Sequence, residues 1–453
     1  MKVVKFGGSS LADGPHFEKI IKIIMADSER QVVVTSAPGK RFANDDKVTD
    51  LLIEYANRVL QQQDVQSIQQ QIWTRYQQIG TYFEVTNTKL NQLKQILIEL
   101  PTKTYKNNSY LLAAFKAHGE ILNAMLLTMV LQKLNINAHF ASSGELGLVV
   151  SAAPQDAQIL PVSYQNLTNY QLPKGRLIVP GFYGLTKQGQ IATFSRGGSD
   201  ITGAVLANGF HARVYENFTD VDAIYAANPA IVSNPRPIAK MTYRELRELS
   251  YAGFSVFHDE AILPAIAGQI PINVRNTNKP ELAGTMIVPA KNFHADNVIT
   301  GVATSDHFAA LYLHRYLLNR EVGFTLKLLH IFYKYHISYE HMPSGIDDLT
   351  VIFDKRQFTK GVREKMCQDI RLQLHPDSLE WIDDYAIIMV VGEGMRNKIG
   401  VMEKIIAPLA AQNIGVHMIN QGASRISIML GTKKKDAPAA VRQIYHNFFI
   451  AGD

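Results

Sequence analysis

The stretch MKVVKFGGSS, residues 1–10, carries a lysine near the end of an apolar run, followed by two glycines and two serines. The run Lys2–Phe6 is short, β-branched and ended by the glycines, so it predicts a strand. The segment HFEKIIKIIMAD, 16–27, has apolar residues at helical spacing, and Ser10 and the polar residues after it are candidate caps for that helix. Glycines between a strand and a helix let a ligand approach free backbone N–H groups. The turn therefore predicts either a phosphate or carboxylate site or a plain surface turn.

The order of lysine and glycines excludes a Walker A loop. In that loop the lysine follows the glycines, whereas Lys5 precedes Gly7 and Gly8 and lies on the strand itself. A lysine at a buried strand end is costly without a counter-charge, so Lys5 requires an anion nearby.

Composition limits the classes of protein to which the chain can belong. Its 453 residues suggest roughly two to four domains, and 46% hydrophobic with 19% charged residues is ordinary for a soluble globular protein. The net charge of +6 suits anionic small molecules, and the one dense basic run, 433–435, is interpreted as a solvated loop, so we expect no nucleic-acid partner. The single cysteine, Cys367, excludes an intrachain disulfide and fits a reducing cytosol. No apolar run approaches the ~20 residues of a membrane span, so we expect a cytoplasmic protein without a membrane partner.

Strand-like runs alternate with helical patterns through the first part of the chain. They are QVVVTSA (31–37), AHFAS (138–142), RLIVPGFYG (176–184), QIATFS (190–195), ARVYENF (212–218) and IPINVRN (270–276). This alternation predicts an α/β fold, an αβα sandwich with a mostly parallel central sheet. Residues 50–100 are glutamine-rich with helical apolar spacing and predict an exposed helical hairpin. A long helix over roughly 109–134 carries Gly119 and Glu120 in its apolar interior, where the carboxylate needs a partner.

The last third of the chain is a duplication. A shift of 77 residues aligns 309–351 with 386–428 and superimposes Gly323 on Gly400. Each copy reads strand, glycine-started helix, strand, tight turn, strand, helix and edge strand, the order of a ferredoxin-like βαββαβ unit. We therefore expect two small domains after a polar linker near 289–297.

A second glycine-rich turn, in FSRGGSDITGAVLAN at 194–208, has the same arrangement of strand, turn and helix as the first. A strand ends, the residues from Arg196 to Asp200 turn, and a helix of small residues begins that can pack close to the sheet. Arg196 can hold a carboxylate through two hydrogen bonds. Two such turns could offer the positive ends of two helices to two anions, as joining a nucleotide phosphate to an acidic acceptor requires.

Four motifs together resemble those of the aspartokinases of the amino-acid kinase superfamily, and the two repeats resemble the ACT domains of that family. The motifs are KFGGSS (5–10), HGE (118–120), FSRGGSD (194–200) and NFTDVDAIYAANP (217–229). The resemblance runs over nearly the whole chain and implies an amino-acid kinase fold over 1–295, then ACT domains over 298–375 and 376–453. It also implies transfer of the ATP γ-phosphoryl group to the side-chain carboxylate of L-aspartate. The product would be 4-phospho-L-aspartate, in the first step toward lysine, threonine and methionine.

The resemblance assigns the catalytic roles to Lys5 and Asp200. Lys5 would span the transferring phosphoryl group and Asp200 would orient this lysine, although Asp200 is also open to interpretation as a helix cap. Gly7, Gly8 and Ser9 would line the phosphates of ATP together with Lys5. No base is expected because a carboxylate nucleophile is already ionised. Mg²⁺ would accompany ATP, held largely by phosphate oxygens and water, so no protein metal site is expected.

The same resemblance places aspartate among five residues, namely Thr49, Glu120, Phe182, Arg196 and Ser199. Arg196 and Ser199 would bind the α-carboxylate, and Glu120 would bind the ammonium group, which explains a carboxylate inside an apolar helix. Thr49 and Phe182 would close the pocket, with an N-cap threonine and a core phenylalanine as the alternative interpretations.

The nucleotide segment both matches and departs from the family pattern. Thr219, Asp220 and Tyr225 match the adenosine-binding positions. Two cations of the commoner pattern are missing, at Ala230 and Ser255, and Arg236 and Lys240 lie near enough in sequence to substitute for them. This departure leaves a catalytically weakened amino-acid sensor open as a rival function. A kinase of another acidic amino acid, such as glutamate, is the nearest rival among enzymes.

The ACT resemblance predicts one effector site per chain, on the first repeat, from Gly323, Phe324, Glu340 and Ser344. The helix that begins near Gly323 could accept a carboxylate and Glu340 an ammonium group, whereas the second repeat has His417 at the place equivalent to Glu340. Lysine is the first choice of effector and threonine the second. The repeats are expected to form a homodimer, with a tetramer as the alternative, and a role in dimerisation alone stays open.

Overall fold

The computed structural model describes residues 1–195, 197–254, 259–291 and 293–450. It comprises two units, the first formed by Met1–Ile224, Pro237–Leu246 and Ser255–Phe293 and the second by Tyr225–Arg236, Arg247–Phe254 and His294–Asp453. The strands are β1 (Lys2–Phe6), β2 (Arg30–Thr35), β3 (Ala138–Phe140), β4 (Val149–Val150), β5 (Arg176–Pro180), β6 (Tyr183–Thr186), β7 (Ile191–Thr193), β8 (Val214–Thr219), β9 (Lys240–Thr242), β10 (Ile272–Asn276), β11 (Thr285–Val288), β12 (Gly301–Ser305), β13 (Phe308–His314), β14 (Asp348–Asp354), β15 (Ser378–Ile382), β16 (Ala386–Val391), β17 (Met418–Asn420) and β18 (Ser427–Thr432). The α-helices are α1 (Gly14–Met25), α2 (Val48–Leu60), α3 (Gln66–Tyr82), α4 (Asn87–Ile98), α5 (Asn108–Lys133), α6 (Val162–Asn169), α7 (Gly198–Gly209), α8 (Tyr243–Tyr251), α9 (Leu263–Ala267), α10 (Phe324–Lys334), α11 (Val362–Leu374), α12 (Val401–Ala411) and α13 (Ala437–Phe449).

An eight-stranded sheet in the order β3-β5-β2-β1-β8-β10-β11-β9 forms the centre of the first unit. The pair β10–β11 is antiparallel and the other pairs of this sheet are parallel, which confirms the mostly parallel sheet predicted from the sequence. Strand β1 lies between β2 and β8, and Phe6 is level with both Thr35 and Phe218. The chain order reverses at this point, where ligands commonly bind at the carboxyl ends of the strands.

Successive residues of the central strands point to opposite faces of the sheet. Val4, Phe6 and Phe218 belong to a core built with residues of α1 to α5. On the other face Tyr215 lies against Gly203 of α7, where an added Cβ would not fit. Helices therefore cover both faces, and the small residues of α7 allow the close packing that the sequence predicted.

Glu216, in the middle of β8, is a buried carboxylate surrounded by three cations. Its Oε2 accepts from Arg30 Nε at 2.6 Å, and its Oε1 lies 3.4 Å from both Lys2 Nζ and Arg275 Nη1. Burial acts to raise the pKa of Glu216, but the hydrogen bond from Arg30 and the charges of the three cations hold it below its ordinary value. The cluster links β8 to β1, β2 and β10 through one carboxylate.

The glutamine-rich segment forms three helices, α2, α3 and α4, instead of the exposed hairpin expected from the sequence. Their apolar residues, including Trp73, Tyr76 and Leu93, lie in the core shared with α5. Most of the glutamines occupy the solvent side of these helices. The expectation was wrong about exposure because the helical period shows an apolar face without showing what covers it.

The run RLIVPGFYG forms two strands, β5 and β6, that belong to different sheets. The chain leaves the central sheet at Gly181 and Phe182 and enters a three-stranded sheet in the order β4-β6-β7. Phe182 has a φ of 76°, a backbone conformation that is rare for a bulky residue and often found at functional sites.

The second unit contains the predicted duplication. Helices α10 and α12 begin at 324 and 401 and end at 334 and 411, so both ends keep the offset of 77 residues. The glycines that precede them, Gly323 and Gly400, have φ values of 81° and 82°. A side chain would be strained in this left-handed conformation, so the matched glycines give both helices the same start.

The two small sheets divide the strands between them differently from the domain boundaries expected from the sequence. Strand β15 falls within the expected second domain, 376–453, but pairs with β13 of the first repeat. Strand β12 falls within the expected first domain, 298–375, but pairs with β16 of the second repeat. In the described part of the chain the second repeat ends with α13. Strand β12, which precedes the first repeat, completes the sheet of the second repeat.

Helix α5 is 26 residues long and lies largely buried in the first unit. Neither α5 nor any other helix in the described ranges combines the length and apolar character needed to cross a membrane.

Candidate active site

The segments that follow β1, β2 and β5 meet the start of α7 at the carboxyl edge of the central sheet. Gly39 N donates to Gly8 O at 2.8 Å, which joins the turn after β1 to the loop after β2. Ser36 Oγ donates to Ser199 Oγ at 2.9 Å, which joins that loop to α7. The two glycine-rich turns singled out in the sequence are therefore parts of one site.

Lys5 and Asp200 form an ion pair at the centre of this site. Lys5 Nζ lies 2.7 Å from Asp200 Oδ1, and the same oxygen accepts from Asn217 Nδ2 at 2.6 Å. Lys5 is only 8% exposed, so Asp200 is the counter-charge that its buried position requires. A Cβ added at Gly7 would lie 3.7 Å from Lys5 Nζ, which places the ammonium beside the first turn. A fixed cation beside open backbone suits the charge of a phosphoryl group.

The glycines of the first turn have two separate roles. Gly7 and Gly8 are half-buried and Ser9 is exposed, so this turn is accessible to solvent, and its role in binding phosphates stays a prediction. A Cβ at Gly8 would also lie 2.8 Å from Ala37 O, so Gly8 is needed for the approach of the neighbouring loop as well.

Helix α1 is capped by Asp13, one of the polar residues after Ser10, and not by Ser10 itself. His16 N donates to Asp13 Oδ1 at 3.1 Å. A short 3-10 helix, Gly8–Leu11, delays the start of α1 and leaves Ser10 Oγ 2.7 Å from Thr277 Oγ1. The turn after β1 is thereby tied to the segment that follows β10.

Glu120 enters the site from α5. Its Oε1 accepts from Ser199 Oγ at 2.9 Å, whereas its Oε2 is buried without a hydrogen-bond partner among the described residues. A Cβ at Gly181 would lie 2.7 Å from Oε2, so the glycine leaves room for this carboxylate. A buried acceptor atom without a partner is costly, so Oε2 is an acceptor that an additional N–H donor would stabilise.

Burial raises the pKa of Glu120 to about 8. The hydrogen bond from Ser199 and the charge of Lys5 act in the opposite direction but do not cancel the effect of burial. Near neutral pH the carboxyl group is therefore largely protonated, and a cation bound beside it would favour its ionised form.

Phe182 lies against the start of α7, and Thr49 lies in the first turn of α2. The ring of Phe182 fills the space above Gly198, where a Cβ would clash with it, and Phe182 N donates to Thr202 Oγ1 at 3.0 Å. Phe182 is half-exposed, so it is not a core phenylalanine. Thr49 is half-buried in the first turn of α2, whose N-cap is Lys47, so Thr49 is not the N-cap. The role of both residues in aspartate binding stays a prediction, and Arg196 lies outside the described residues.

The predicted nucleotide residues follow β8. Thr219 ends this strand, and its Oγ1 donates to Asp220 Oδ1 at 3.0 Å. Asn276 Nδ2 donates to Asp220 O at 3.4 Å, and Thr277 N to Thr219 O at 2.9 Å. Tyr225 begins the segment Tyr225–Arg236, which belongs to the second unit.

The two proposed substitutes for the missing cations have other contacts. Arg236 Nη1 donates to Asn297 Oδ1 at 3.4 Å, and Lys240 Nζ lies 5.7 Å from the centre of the Phe293 ring. Ala230 N donates to Asn228 Oδ1 at 2.9 Å in a tight turn. Ser255 lies outside the described residues, so the substitution stays a prediction.

The four predicted effector residues are spread over the first repeat. Gly323 precedes α10, and Phe324 is buried, with its N donating to Glu321 O at 3.4 Å. The turn after Ser344 reaches the loop before α10, where Asn319 N donates to Ile346 O at 3.1 Å. Glu340 lies beside Tyr251. Burial raises the pKa of that tyrosine, and the charge of Glu340 raises it further. The turn and the helix start are thus close, and Glu340 faces a different neighbour.

Sequence reasoning missed four residues that shape the site. Asn217 holds Asp200, Asn123 Nδ2 donates to Ser36 O at 2.7 Å, Ser36 supports Ser199, and Gly181 makes room for Glu120. The available signal was a polar side chain at the end of an apolar strand or inside an apolar helix. That signal does not reveal which partner such a side chain has.

No group of three or more His, Cys, Asp or Glu within the described ranges is arranged to hold a metal ion. A metal that arrives on a nucleotide needs no such group, since phosphate oxygens and water supply most of its ligands.

The chain matches the family model of the amino acid kinase family over residues 1–276 and that of the ACT domain over residues 388–448. It is 42% identical over 449 residues to aspartokinase 3 of Bacillus subtilis (strain 168), an alignment that covers 99% of each chain. The crystal structure of Clostridium acetobutylicum aspartate kinase is 36% identical with a TM-score of 0.87, covering 99% of this chain and 100% of that one.

Escherichia coli aspartokinase III shares the same fold. Its structure with aspartate and ADP is 22% identical to this chain with a TM-score of 0.73, covering 99% of this chain and 100% of that one. Its structure with lysine and aspartate is 23% identical with the same TM-score of 0.73, covering 99% of both chains.

Proposed function

Because the chain belongs to the aspartokinases of the amino acid kinase family, we propose that it converts L-aspartate and ATP to 4-phospho-L-aspartate and ADP. The observation that carries this proposal is the Lys5–Asp200 pair next to the unpaired Oε2 of Glu120. It offers a cation for a phosphoryl group and an anion for an amino group at one sheet edge. The reaction would be the first step toward lysine, threonine and methionine.

The transfer requires positioning and charge neutralisation more than a base. An oxygen of the aspartate side-chain carboxylate attacks the γ-phosphorus, and the bond from that phosphorus to the bridging oxygen breaks as ADP leaves. Lys5 is aimed by Asp200 to neutralise charge on the moving group, while the turn 7–9 lines the other phosphates. Thr219, Asp220 and Tyr225 are the proposed contacts of the adenosine. We propose MgATP as the form of the nucleotide, so the metal is part of the substrate.

Aspartate is proposed to lie between Lys5 and Glu120. Its ammonium would supply the donor that Glu120 Oε2 lacks, and Ser199, with Arg196, would bind its α-carboxylate. Its side-chain carboxylate would then face Lys5, where the phosphoryl group arrives. Thr49 and Phe182 are the proposed walls of this pocket.

A coupled assay of ADP release tests the proposal against both rival functions. With MgATP, we expect release with L-aspartate and little or none with L-glutamate. Preference for L-glutamate would indicate a kinase of another acidic amino acid. No release with either, together with binding of an amino acid measured by calorimetry, would indicate a sensor.

Glu120→Gln is expected to raise KM for aspartate by about ten- to a hundredfold, the range for losing a hydrogen bond to a charged group. The amide keeps the shape but cannot neutralise the substrate ammonium. KM for ATP should change much less and serves as the internal control. An unchanged KM for aspartate would show that Glu120 is only a structural carboxylate.

The wild type and this variant should also differ in their pH dependence. Burial raises the pKa of Glu120 to about 8. In the wild type, kcat/KM for aspartate should therefore rise as pH increases toward 8, because ionisation of Glu120 precedes binding of the ammonium. The rise should be absent in Glu120→Gln, which has no group to ionise.

Feedback regulation through the ACT domains is the second part of the proposal. The structure of the Escherichia coli enzyme with lysine and aspartate supports a lysine effector in this family. We propose that the effector carboxylate binds at the start of α10, at Gly323 and Phe324, with the turn at Ser344 beside it. Glu340, which lies beside Tyr251 within the chain, is the proposed partner of the effector ammonium. Threonine is the alternative effector. The ACT domains would also join two chains in a homodimer, with a tetramer as the alternative.

Titration of activity with lysine, threonine and methionine, singly and in pairs, tests the effector site. We expect inhibition by lysine in the wild type and a roughly 5- to 150-fold weaker response in Glu340→Ala, the usual range of allosteric coupling. Glu380→Ala is the matched control, since Glu380 is an exposed carboxylate of the same repeat. Equal inhibition of Glu340→Ala and the wild type would reject the site, and no inhibition of the wild type would leave dimerisation as the role of the repeats.

A further inference from the structure

Lys116 is a cation at the edge of the candidate active site, and the proposed function gives it no catalytic or substrate-binding role. It lies on α5 one helical turn before Glu120, so both side chains lie on the same face of the helix. Lys116 Nζ is 5.3 Å from the centre of the Phe182 ring. The helix thus directs a cation and an anion toward the same turn, 181–182.

The charge of Lys116 is not neutralised by a carboxylate among the described residues. Its nearest polar contact there is weak, Gln155 Oε1 at 3.5 Å. The side chain is half-buried, and loss of solvent lowers the pKa of Lys116. A cation in this environment gains from a ligand anion that replaces the lost water.

The three charged groups of aspartate have different requirements in this site. The side-chain carboxylate has to face Lys5, because the phosphoryl group arrives there, and the ammonium has to face Glu120 Oε2. The α-carboxylate is then left for the side of the pocket formed by Phe182 and the start of α7. Lys116 lies over the ring of Phe182, so it is the described cation on that side.

We propose that Lys116 is a specificity-determining residue that attracts the α-carboxylate of the amino-acid substrate, across the ring of Phe182 and beside Ser199. The inference rests on the proposed function, because it takes aspartate as the molecule in the pocket. It adds to the pocket a cation, Lys116, that lies outside the four family motifs. The ring of Phe182, held at a φ of 76°, acts as the support that sets the position of the lysine.

Lys116→Met tests the role by removing the charge and keeping the apolar stem. We expect KM for aspartate to rise about tenfold, the scale for losing the attraction between opposite charges roughly 10 Å apart in partly buried surroundings, with kcat changed less than about twofold. Lys116→Arg should recover most of the loss. Lys106→Met is the matched control, because Lys106 Nζ also lies over a ring, 5.9 Å from the centre of Tyr110, but just before α5 and away from the pocket.

Two aspartate analogues separate recognition of the α-carboxylate from a structural effect. Succinate keeps both carboxylates and lacks the ammonium, whereas 3-aminopropanoate keeps the ammonium and the acceptor carboxylate and lacks the α-carboxylate. As competitors of aspartate, succinate should bind Lys116→Met about tenfold more weakly than the wild type, and 3-aminopropanoate equally well, because only succinate carries the carboxylate that the charge of Lys116 attracts.

The possible results separate this inference from the proposed function. Equal weakening of both analogues would indicate a distorted pocket and overturn the inference, as would no weakening of either. If the wild type turns over aspartate and the analogues show either of these patterns, only the role of Lys116 is rejected. A wild type that releases no ADP with aspartate rejects the proposed function itself.

Discussion

Replacing Lys5 with methionine is expected to lower kcat by about 10²–10³, the scale for losing one electrostatic contact to a transition state. Methionine keeps the length and apolar stem of lysine but removes the charge that Asp200 holds in place. KM for aspartate should change little, because the ammonium and α-carboxylate of the substrate have other partners. Steady-state kinetics of ADP release at saturating MgATP and aspartate measure both quantities.

Lys2→Met is the matched control for this experiment. Lys2 lies on the same strand but points to the opposite face, where its Nζ is 2.7 Å from Asp27 Oδ2. Its replacement should leave kcat within about twofold, the variation expected for a residue without contact to the reacting groups. Near-normal turnover in Lys5→Met would remove Lys5 from the catalytic machinery, whereas equal losses in both variants would indicate damage to β1.

Glu216→Gln is expected to lower the free energy of unfolding of the first unit by about 3–5 kcal/mol, the range for breaking a buried ion pair. The amide keeps the shape of the side chain but leaves Arg30, Lys2 and Arg275 without their shared carboxylate. Arg30 is 5% exposed, so water cannot replace the lost partner. Kinetic constants of the folded enzyme should stay near those of the wild type, since the cluster lies on the sheet face opposite Asn217.

The unfolding measurement can be restricted to the unit that contains Glu216. The chain has two tryptophans, Trp73 in the first unit and Trp381 in the second, so a Trp381→Phe background makes fluorescence report on the first unit alone. Glu29→Gln in that background is the matched control, because Glu29 pairs with Arg213 in an exposed position. Exposed pairs contribute about 0–1 kcal/mol. A difference between the two variants smaller than that range would reject the proposed importance of the buried cluster.

The effect of Glu216→Gln should also shrink in acid. The pKa of Glu216 is held below its ordinary value in the folded chain, so the unfolded state binds more protons. The stability that the carboxylate provides is then present above the ordinary pKa of glutamate and is lost as pH falls through the folded value. Urea unfolding of the wild type and the variant should therefore converge as pH is lowered.

The sequence predicted the parts of this fold that depend on periodicity and on glycine. The alternation of apolar runs indicated the parallel sheet, and the shift of 77 residues indicated the repeat that α10 and α12 display. These predictions succeeded because the spacing of apolar residues is a property of each element by itself. The run RLIVPGFYG shows the limit of this reasoning, since its continuous pattern hides the change of sheet at Phe182.

The sequence also indicated that Lys5 and Glu120 need partners, but it could not identify all of them. The contact between Lys5 and Asp200 bridges 195 positions of sequence, and that between Glu120 and Ser199 bridges 79. Only the family resemblance linked Lys5 to Asp200. Asn217, which holds Asp200 in place, carries no signal beyond being polar in an apolar strand. Such pairings depend on strand order, which is set by packing of the whole sheet.

The early position of strand β12 in the chain affects how the two repeats fold during synthesis. It leaves the ribosome before the first repeat, but its antiparallel partner β16 begins only at residue 386. Until then both edges of β12 are unpaired, and unpaired strand edges favour association with other chains. Closing a long loop costs less free energy when the loop is already compact, so folding of the first repeat brings Ser305 and Ala386 within reach of each other. We therefore expect the first repeat to fold first during synthesis, and the second to be assembled around it only after its last strands have emerged.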